Sequence, residues 1–172
     1  MPTDYASLIR DIPNFPREGI IFRDITPLLG DPAAFLAAIK DMAAPFRNTR
    51  IDQVVAIEAR GYLLGTPLAI ELGAGFVPVR KIGKLPFMTF KAEYTLEYGE
   101  AAIEMHQDGL LDHHRVLLVD DVLATGGTMA ATISLVEQAG ASVAGIAVLI
   151  ELAALKGRQA LGGHDVVSLI TR

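Results

Sequence analysis

The chain has 172 residues, of which 51% are hydrophobic and 20% charged, so it can form one domain with a buried core and is not a disordered chain. Its net charge of −5 disfavours non-specific binding to nucleic acid and to anionic membranes. It contains no cysteine, which excludes disulfides and thiolate metal sites. Because the sequence shows neither a signal-peptide pattern at its start nor an apolar run of transmembrane length, we expect a cytoplasmic protein.

The N-terminal part of the chain is predicted to contain two helices. The first is expected over residues 3–12, where Thr3 can cap the start and Pro13 prevents continuation. A segment punctuated by proline and glycine follows. A second helix is predicted to begin at Asp31-Pro32, through the chemistry of the N-cap and first-turn positions. Its expected apolar face consists of Phe35, Leu36, Ile39, Met42 and Ala43.

The rest of the chain alternates between predicted strands and helices. Apolar runs predict strands over residues 53–57, 76–79, 116–119, 143–150 and 166–170, and a weak alternation predicts an edge strand over residues 101–106. Helices are predicted over residues 62–72 and 128–139, each ended by a glycine. This order indicates an α/β fold with a central, mostly parallel sheet flanked by helices. In such sheets, ligands bind beyond the carboxyl ends of the strands.

Residues 80–98 show poor periodicity and many Gly, Pro, Lys and Glu residues. Loops of this length without regular structure are usually functional or disordered. We therefore predict a flexible lid that excludes water from a reactive sugar.

The most informative segment is residues 116–128, with the sequence VLLVDDVLATGGT. A buried strand is predicted to end at Asp120 and Asp121, whose carboxylates suit the hydroxyls of a ribose. A loop of small residues then leads into a helix and consists of Ala124, Thr125, Gly126, Gly127 and Thr128. The glycines let the backbone turn tightly, and free N–H groups at a helix N-terminus favour an anion. The segment thus predicts a site for one ribose 5-phosphate.

Two further segments are candidates for binding the phosphates of a larger ligand. The turn Glu58-Ala59-Arg60-Gly61 is predicted to join a strand to a helix and offers an exposed arginine, free N–H groups and a glycine. Three cations also cluster in this acidic chain, namely Arg80, Lys81 and Lys84. We predict that both segments neutralise a pyrophosphate group, the cations either in their own site or in that of a partner subunit. The alternatives are a plain turn with a surface salt bridge and a solvated basic turn.

An aromatic residue near the N-terminus indicates where a planar base would bind. Phe22, with Ile21 and Arg23 beside it, could stack on the base while nearby backbone groups read its edge. The alternative is a core aromatic next to a surface salt bridge. At the far end of the lid, Glu97 beside Tyr98 could exchange a proton with the base; the alternative for Glu97 is a surface carboxylate.

The adjacent histidines His113 and His114 are interpreted as a solvated turn rather than as a metal pair. No second cluster of ligands lies at a useful spacing from them. We therefore expect no metal ion held directly by the protein.

Residues 116–128 resemble the phosphoribosyl-pyrophosphate signature of type I phosphoribosyltransferases. Further stretches together resemble the adenine phosphoribosyltransferase family: residues 12–29 (IPNFPREGIIFRDITPLL) its base-binding region, 59–62 (ARGY) its pyrophosphate loop, 80–86 (RKIGKLP) and 93–106 (EYTLEYGEAAIEMH) its flexible loop, and 149–161 (LIELAALKGRQAL) its C-terminal segment. The resemblance implies a single domain over residues 1–172, with a base-binding hood over about 1–30 and the lid over about 80–98.

The activity implied by the resemblance is purine salvage. The 5-phosphoribosyl group of 5-phosphoribosyl 1-pyrophosphate would be transferred to adenine, giving AMP and pyrophosphate. Mg²⁺ would be carried on the substrate's oxygens, and the chain would form a homodimer. Two alternatives stay open: a related transferase that prefers hypoxanthine, guanine or xanthine, and a non-enzymatic regulator that binds the activated sugar. The acidic charge and the lack of a helix-turn-helix extension count against the regulator.

The resemblance also implies residue roles by position. Pyrophosphate would be contacted by Arg60 and by the cations Arg80, Lys81 and Lys84, some of them reaching a neighbouring subunit. Ribose would be bound by Asp120 and Asp121, and its 5′-phosphate by residues 124–128. Adenine would be held by Ile21, Phe22 and Arg23, with Val122 and Leu152 as further candidates. Glu97 and Tyr98 would form the lid pair, with Glu97 and Arg60 catalytic. The chain departs from the family at Ala59, where serine is common, and in the apolar lid residues 87–90.

Overall fold

The computed structural model describes residues 4–96 and 99–172, which form two β-sheets and four α-helices. The smaller sheet consists of β1 (Arg10–Pro13) and β2 (Ile21–Asp24). The larger sheet consists of β3 (Gln53–Ile57), β4 (Gly75–Lys81), β5 (Thr89–Leu96), β6 (Gly99–His106), β7 (Arg115–Leu123), β8 (Ser142–Glu151) and β9 (Val166–Thr171). The helices are α1 (Thr26–Gly30), α2 (Pro32–Ala43), α3 (Arg60–Leu72) and α4 (Gly127–Gln138). Within these residues, no helix combines the length and hydropathy that crossing a membrane requires.

The larger sheet has the strand order β5-β6-β4-β3-β7-β8-β9. The pairs β4–β3, β3–β7, β7–β8 and β8–β9 are parallel, whereas β6 pairs antiparallel with both β4 and β5. The predicted α/β fold with a central, mostly parallel sheet is confirmed.

Both faces of the larger sheet carry an apolar cluster. Along β3, Val54 and Ala56 belong to one cluster and Val55 and Ile57 to the other, since successive side chains of a strand point to opposite faces. The first cluster includes side chains of α2 and α3, and the second includes those of α4 and of the β5–β6 hairpin. Because both faces are covered, the carboxyl ends of the strands are the part of the sheet where a ligand can bind.

The start of α2 and the end of α3 agree with the sequence signals. Asp31 caps α2, because its carboxylate accepts the N–H groups of Ala33 and Ala34, each at 3.0 Å. Gly73 ends α3 with a φ of +65°. On the predicted apolar face of α2, Leu36 remains 53% exposed, whereas three other members are buried, namely Ile39, Met42 and Ala43.

The predicted helix over residues 3–12 is wrong. A 3-10 helix covers only Tyr5–Leu8, and the chain then enters β1. Arg10 of β1 donates a hydrogen bond of 2.6 Å to the carboxylate of Asp24 at the end of β2. Pairing with β2 therefore overrides the local helical pattern.

The prediction of residues 80–98 as a loop without regular structure is also wrong for much of its length. β4 continues to Lys81, and β5 begins at Thr89 and pairs with β6 in an antiparallel hairpin. The predicted edge strand is not at an edge, since β6 lies between β5 and β4. The side chains of Phe90, Ala92 and Tyr94 alternate with polar residues, and all three pack on the second apolar cluster.

β7 continues past the acidic pair instead of ending at Val119. Its last residues pair with β8, Val122 with Ile150 and Leu123 with Glu151. On the other side, the pairing of β7 with β3 ends at Val119. From the acidic pair onward, the side of β7 that faces β3 is therefore unpaired. The functional site lies at this unpaired end of the strand.

Candidate functional site

A cavity of about 350 Å³ lies beyond the carboxyl ends of β3 and β7. Its lining contains a carboxylate pair, several cations and a few apolar side chains: Ile57, Glu58, Ala59, Arg60, Arg80, Lys81, Tyr94, Ile103, Asp120, Asp121 and Thr128. A smaller cavity of about 70 Å³ adjoins it, lined by Asp120 and by residues 122–129. The two cavities share Asp120 and Thr128. The structure thus brings most of the predicted ribose, phosphate and pyrophosphate residues into one continuous site.

The acidic pair forms the floor of the larger cavity. Asp121 is buried, and its backbone N–H donates a hydrogen bond of 2.9 Å to Oδ1 of Asp120. Burial and the negative charge of Asp121 both raise the pKa of Asp120 well above its ordinary value. Gly61, at the start of α3, lets the helix approach this carboxylate, because a Cβ there would lie 3.1 Å from Asp120 Oδ1. The floor therefore concentrates negative charge that a hydroxyl donor or a cation can relieve.

Arg60 connects the acidic pair to the smaller sheet. Its Nε lies 2.8 Å from Oδ2 of Asp121, and its Nη1 donates a hydrogen bond of 3.2 Å to the carbonyl oxygen of Arg23. Its guanidinium also lies over the ring of Phe22, at 4.5 Å from the ring centroid. The side chain predicted to contact pyrophosphate is thus held between the predicted ribose and base regions.

The cationic wall of the cavity is built around Glu58. Arg80 donates to Glu58 through Nη2 at 2.9 Å and Nε at 3.3 Å, and the backbone N–H of Lys81 donates to the same carboxylate at 3.2 Å. The hydrogen bonds from Arg80 lower the pKa of Glu58. Lys84 does not line the cavity; its carbonyl oxygen accepts a hydrogen bond from Arg80 at 3.1 Å. Three of the four predicted cations, Arg60, Arg80 and Lys81, therefore line the cavity. Lys84 contacts Arg80 through its backbone carbonyl.

The smaller cavity lies at the N-terminus of α4. Gly126 precedes the helix with a φ of +87°, a conformation that L side chains rarely adopt. The first helical hydrogen bond runs from the N–H of Ala130 to the carbonyl oxygen of Gly126 at 2.8 Å, so the preceding N–H groups have no intrahelical acceptor. They and the dipole of the helix suit an anion. The predicted phosphate loop, residues 124–128, has the geometry that such a role requires.

The residues predicted to bind a base lie on β2 and close to it. Phe22 is half-buried and Ile21 is 50% exposed, while Phe15 meets the Phe22 ring edge-on with a centroid separation of 5.2 Å. Arg23 forms an ion pair with Asp11 at 2.5 Å. The two remaining candidates, Val122 and Leu152, are half-buried and pack on the first apolar cluster, and Val122 also lines the smaller cavity.

The predicted site residues and the residues that line the cavity do not coincide completely. Glu97 and Tyr98 lie outside the described residues. Tyr94 and Ile103 line the cavity although no site prediction names them, and Glu58 lines it as part of the predicted turn. The alternation along β5 was the signal that could have identified Tyr94.

The histidine pair lies in the turn before β7. His113 is exposed, and Nδ1 of His114 accepts the N–H of Leu111 at 3.1 Å. In the part of the chain that the structure describes, no cluster of three or more His, Asp or Glu residues is arranged to hold a metal ion.

Comparison with known proteins is consistent across sequence and structure. Residues 28–168 match the phosphoribosyl transferase domain family. The chain is 55% identical over 173 residues to an adenine phosphoribosyltransferase of Nocardioides sp. (strain ATCC BAA-499 / JS614), covering 98% of this chain and 94% of that protein. The crystal structure of adenine phosphoribosyltransferase from Thermoanaerobacter pseudethanolicus has a TM-score of 0.96 and 50% identity, with 98% of each chain covered. The Giardia lamblia enzyme in complex with 9-deazaadenine has a TM-score of 0.93 and 43% identity, covering 98% of this chain and 96% of that chain.

Proposed function

The chain belongs to the phosphoribosyl transferase domain family, and we propose that it transfers the 5-phosphoribosyl group of 5-phosphoribosyl 1-pyrophosphate to N9 of adenine, giving AMP and pyrophosphate. The observation that carries the proposal is the continuous pair of cavities, in which Asp120 stands between a helix N-terminus and a cationic wall. The named activity of relatives at 55% and 50% identity supports adenine as the acceptor.

The ribose 5-phosphate part of the substrate is proposed to occupy the floor and the smaller cavity. The carboxylates of Asp120 and Asp121 accept hydrogen bonds from the ribose hydroxyls. The N–H groups at the start of α4, with the hydroxyls of Thr125 and Thr128, bind the 5′-phosphate. Held at both ends, the sugar presents C1 toward the larger cavity, which converts an encounter of two substrates into a positioned reaction.

Pyrophosphate is proposed to leave toward the cationic wall. Arg60, Arg80 and Lys81 line the cavity into which the leaving group would move, and their charges favour the transition state as negative charge develops on it. The sugar passes through an oxocarbenium-like state while N9 of adenine attacks from the opposite face. Adenine stacks on Phe22, beside Ile21 and Arg23, with Val122 and Leu152 closing the apolar side.

Mg²⁺ is proposed to bind mainly through oxygens of the substrate and water. The donor set fits this arrangement, because the paired carboxylates Asp120 and Asp121 are hard oxygen donors at the cavity floor. When bound, the ion would neutralise part of the charge on the pyrophosphate. Asp120 and Asp121 would then face it through water, because the ion is carried by the substrate.

Glu97 is proposed as the residue that exchanges a proton with adenine, with Tyr98 beside it. A carboxylate carried by the lid segment suits this role, because the proton has to move only when the site is closed to water. A homodimer, implied by the resemblance to the adenine phosphoribosyltransferase family, and a cytoplasmic location, expected from the sequence, complete the proposal. Sedimentation velocity of the purified protein measures the oligomeric state directly.

The test is a Mg²⁺-dependent assay with 5-phosphoribosyl 1-pyrophosphate and each purine base in turn, with nucleotides separated by chromatography. AMP from adenine alone is the expected result. A different nucleotide would move the base assignment, and binding of the activated sugar without any product would favour the regulator. The variant Asp121→Asn should lose most activity, whereas Asp108→Asn, at an exposed position after β6, should retain it.

A further inference from the structure

Apart from the base candidate Leu152, the C-terminal segment LIELAALKGRQAL (residues 149–161) has no role in the proposed reaction, yet part of it lies directly against the phosphate loop, defined here as residues 124–128. A Cβ added to Gly126 would overlap the carbonyl oxygen of Gly157, and a Cβ added to Gly157 would overlap the carbonyl oxygen of Ala124. The two backbones therefore touch with no side chain between them. The position of the loop depends on the position of the turn at Gly157.

That turn is held by a bidentate ion pair. Arg158 donates through Nε and Nη2 to the two carboxylate oxygens of Glu151, each at 2.6 Å. Its Nη1 donates to the carbonyl oxygen of Val166 at 2.9 Å, and Ser168 donates to Glu151 at 2.9 Å. Glu151 is buried, and its hydrogen bonds with Arg158 lower the pKa of its carboxyl group. Paired forks of this kind combine charge with a fixed geometry.

The same pair is also connected to the strand that enters the phosphate loop. Glu151 is the last residue of β8 and pairs with Leu123, the last residue of β7. The N–H of Leu152 donates to the carbonyl oxygen of Leu123 at 2.9 Å. The end of β8 thus fixes the start of the phosphate loop. The turn that Arg158 holds contacts the loop at Ala124 and Gly126.

We propose that the pair Glu151–Arg158 is a positioning device for the phosphate loop, which sets the affinity for the 5′-phosphate group without contacting it. The proposal rests on the proposed function for the identity of the ligand. Backbone N–H groups bind a phosphate well only if they are already aimed at it, so a small shift of the loop weakens the phosphate contacts. Among the described residues, Ile21, Phe22 and Arg23 of β2 form no hydrogen bond or ion pair with either side chain of this pair, so binding of the base there should be unaffected.

The test uses Glu151→Gln, which keeps the shape of the side chain but removes the charge. Dissociation constants for ribose 5-phosphate and for adenine are measured by calorimetry on wild type and variant, together with the melting temperature. We expect the dissociation constant for ribose 5-phosphate to rise on the order of tenfold, which corresponds to about 1.4 kcal/mol, and that for adenine to stay within twofold of wild type, a ratio of about 2 being under 0.5 kcal/mol. Arg158→Lys, which keeps the charge but loses the fork, should lie between wild type and Glu151→Gln.

The matched control is Arg47→Gln, which breaks the ion pair of Arg47 with Glu71 at 2.6 Å, near the end of α3 opposite to Arg60. It should leave both dissociation constants unchanged. Gly157→Ala provides a second variant that leaves the ion pair in place and displaces the loop sterically; it too should weaken ribose 5-phosphate selectively. The proposal is overturned if folded Glu151→Gln binds ribose 5-phosphate as wild type does, or if affinity for both ligands falls equally.

These measurements separate the proposal from the proposed function. Wild-type protein that binds ribose 5-phosphate but forms no AMP would refute the function and leave the positioning role to be decided by the variants. Wild-type protein that forms AMP but does not bind ribose 5-phosphate would refute the positioning role and leave the proposed function standing.

Discussion

The guanidinium of Arg60 covers the ring of Phe22 at 4.5 Å from its centroid while its Nε contacts Asp121 at 2.8 Å. One side chain therefore spans the regions proposed for the base and for the ribose. It occupies an aromatic surface on which the base is proposed to stack, so an entering base must displace the guanidinium or insert beside it. Displacement would free the charge of Arg60 for the pyrophosphate, and it would couple the binding of the two substrates.

Phe22→Leu should weaken adenine binding, because a leucine keeps apolar contact but loses the flat π-surface. Stacking of a base on an aromatic ring contributes roughly 1–3 kcal/mol, so we expect the dissociation constant for adenine to rise about tenfold or more. Calorimetry with adenine measures it. Phe87→Leu, at a 60% exposed position, is the control. Equal affinity of Phe22→Leu and wild type for adenine would exclude stacking on this ring.

Arg60→Gln should reduce kcat/KM on the order of a hundredfold, since removing one preorganised group that stabilises charge in a transition state has effects of about this size. The measurement is initial-rate kinetics with the activated sugar varied. Arg50→Gln, which breaks an ion pair at a 61% exposed side chain, serves as the control and should stay near wild type. A loss smaller than about threefold in Arg60→Gln would contradict a role in catalysis.

Gly126→Ala should lose both stability and phosphate binding. The φ of +87° costs an L-residue about 1–2 kcal/mol, and the new Cβ also overlaps the carbonyl oxygen of Gly157. Gly162→Ala is a matched control, because Gly162 has a φ of +62° with no atom near the added Cβ. Urea unfolding and ribose 5-phosphate titration should show a larger loss for Gly126→Ala in both quantities. Equal losses would mean that contact with Gly157 is unimportant.

The stability advantage of wild type over Glu151→Gln should depend on pH. The pKa of Glu151 in the folded protein is lowered from its ordinary value of 4.5, chiefly by the hydrogen bonds with Arg158. A lowered pKa means that the charged form stabilises the fold at pH values above the unfolded pKa, and that this contribution is lost as the pH falls through the folded pKa. Urea midpoints should therefore differ at pH 7 and converge below pH 4.5. A difference independent of pH would show that the charge of Glu151 is irrelevant.

Glu97→Gln should lower kcat by at least about a hundredfold if Glu97 moves a proton in the reaction. Affinity for ribose 5-phosphate should be unchanged, because the proposed role concerns the base. The neighbouring Glu100 is exposed on β6, and Glu100→Gln should behave as wild type in both measurements. A drop in kcat of equal size in the two variants would point to the segment and not to the carboxylate.

The sequence predicted the fold class because its parallel strands are short, apolar and separated by amphipathic helices. It also predicted that Asp120, Asp121 and residues 124–128 come together, since a strand, an acidic pair, glycines and a helix are contiguous in the chain. What it missed depends on pairing between segments, which the pattern of one segment alone does not show. β1 exists because of β2, and β5 because of β6; each alone resembles a helix or a loop.

The bridging position of Arg60 could not have been predicted for a related reason. Its three contacts lie on Phe22, Arg23 and Asp121, which belong to two different sheets. No spacing within the chain reports that these sheets approach each other. Glu58, by comparison, directly follows β3 and belongs to the same turn as Arg60, so its place at the edge of the sheet could be predicted from local sequence.

The hairpin of β5 and β6 has a thermodynamic consequence for any closure over the site. Had residues 80–98 been a loop without structure, each of them would lose conformational entropy on closing, at about 1–2 kcal/mol per residue for the backbone. All of residues 89–96 already pair with β6, and Tyr94 and Ile103 already line the cavity. The conformational entropy of this part is therefore already lost when the protein folds. The free energy of ligand binding does not have to offset that loss.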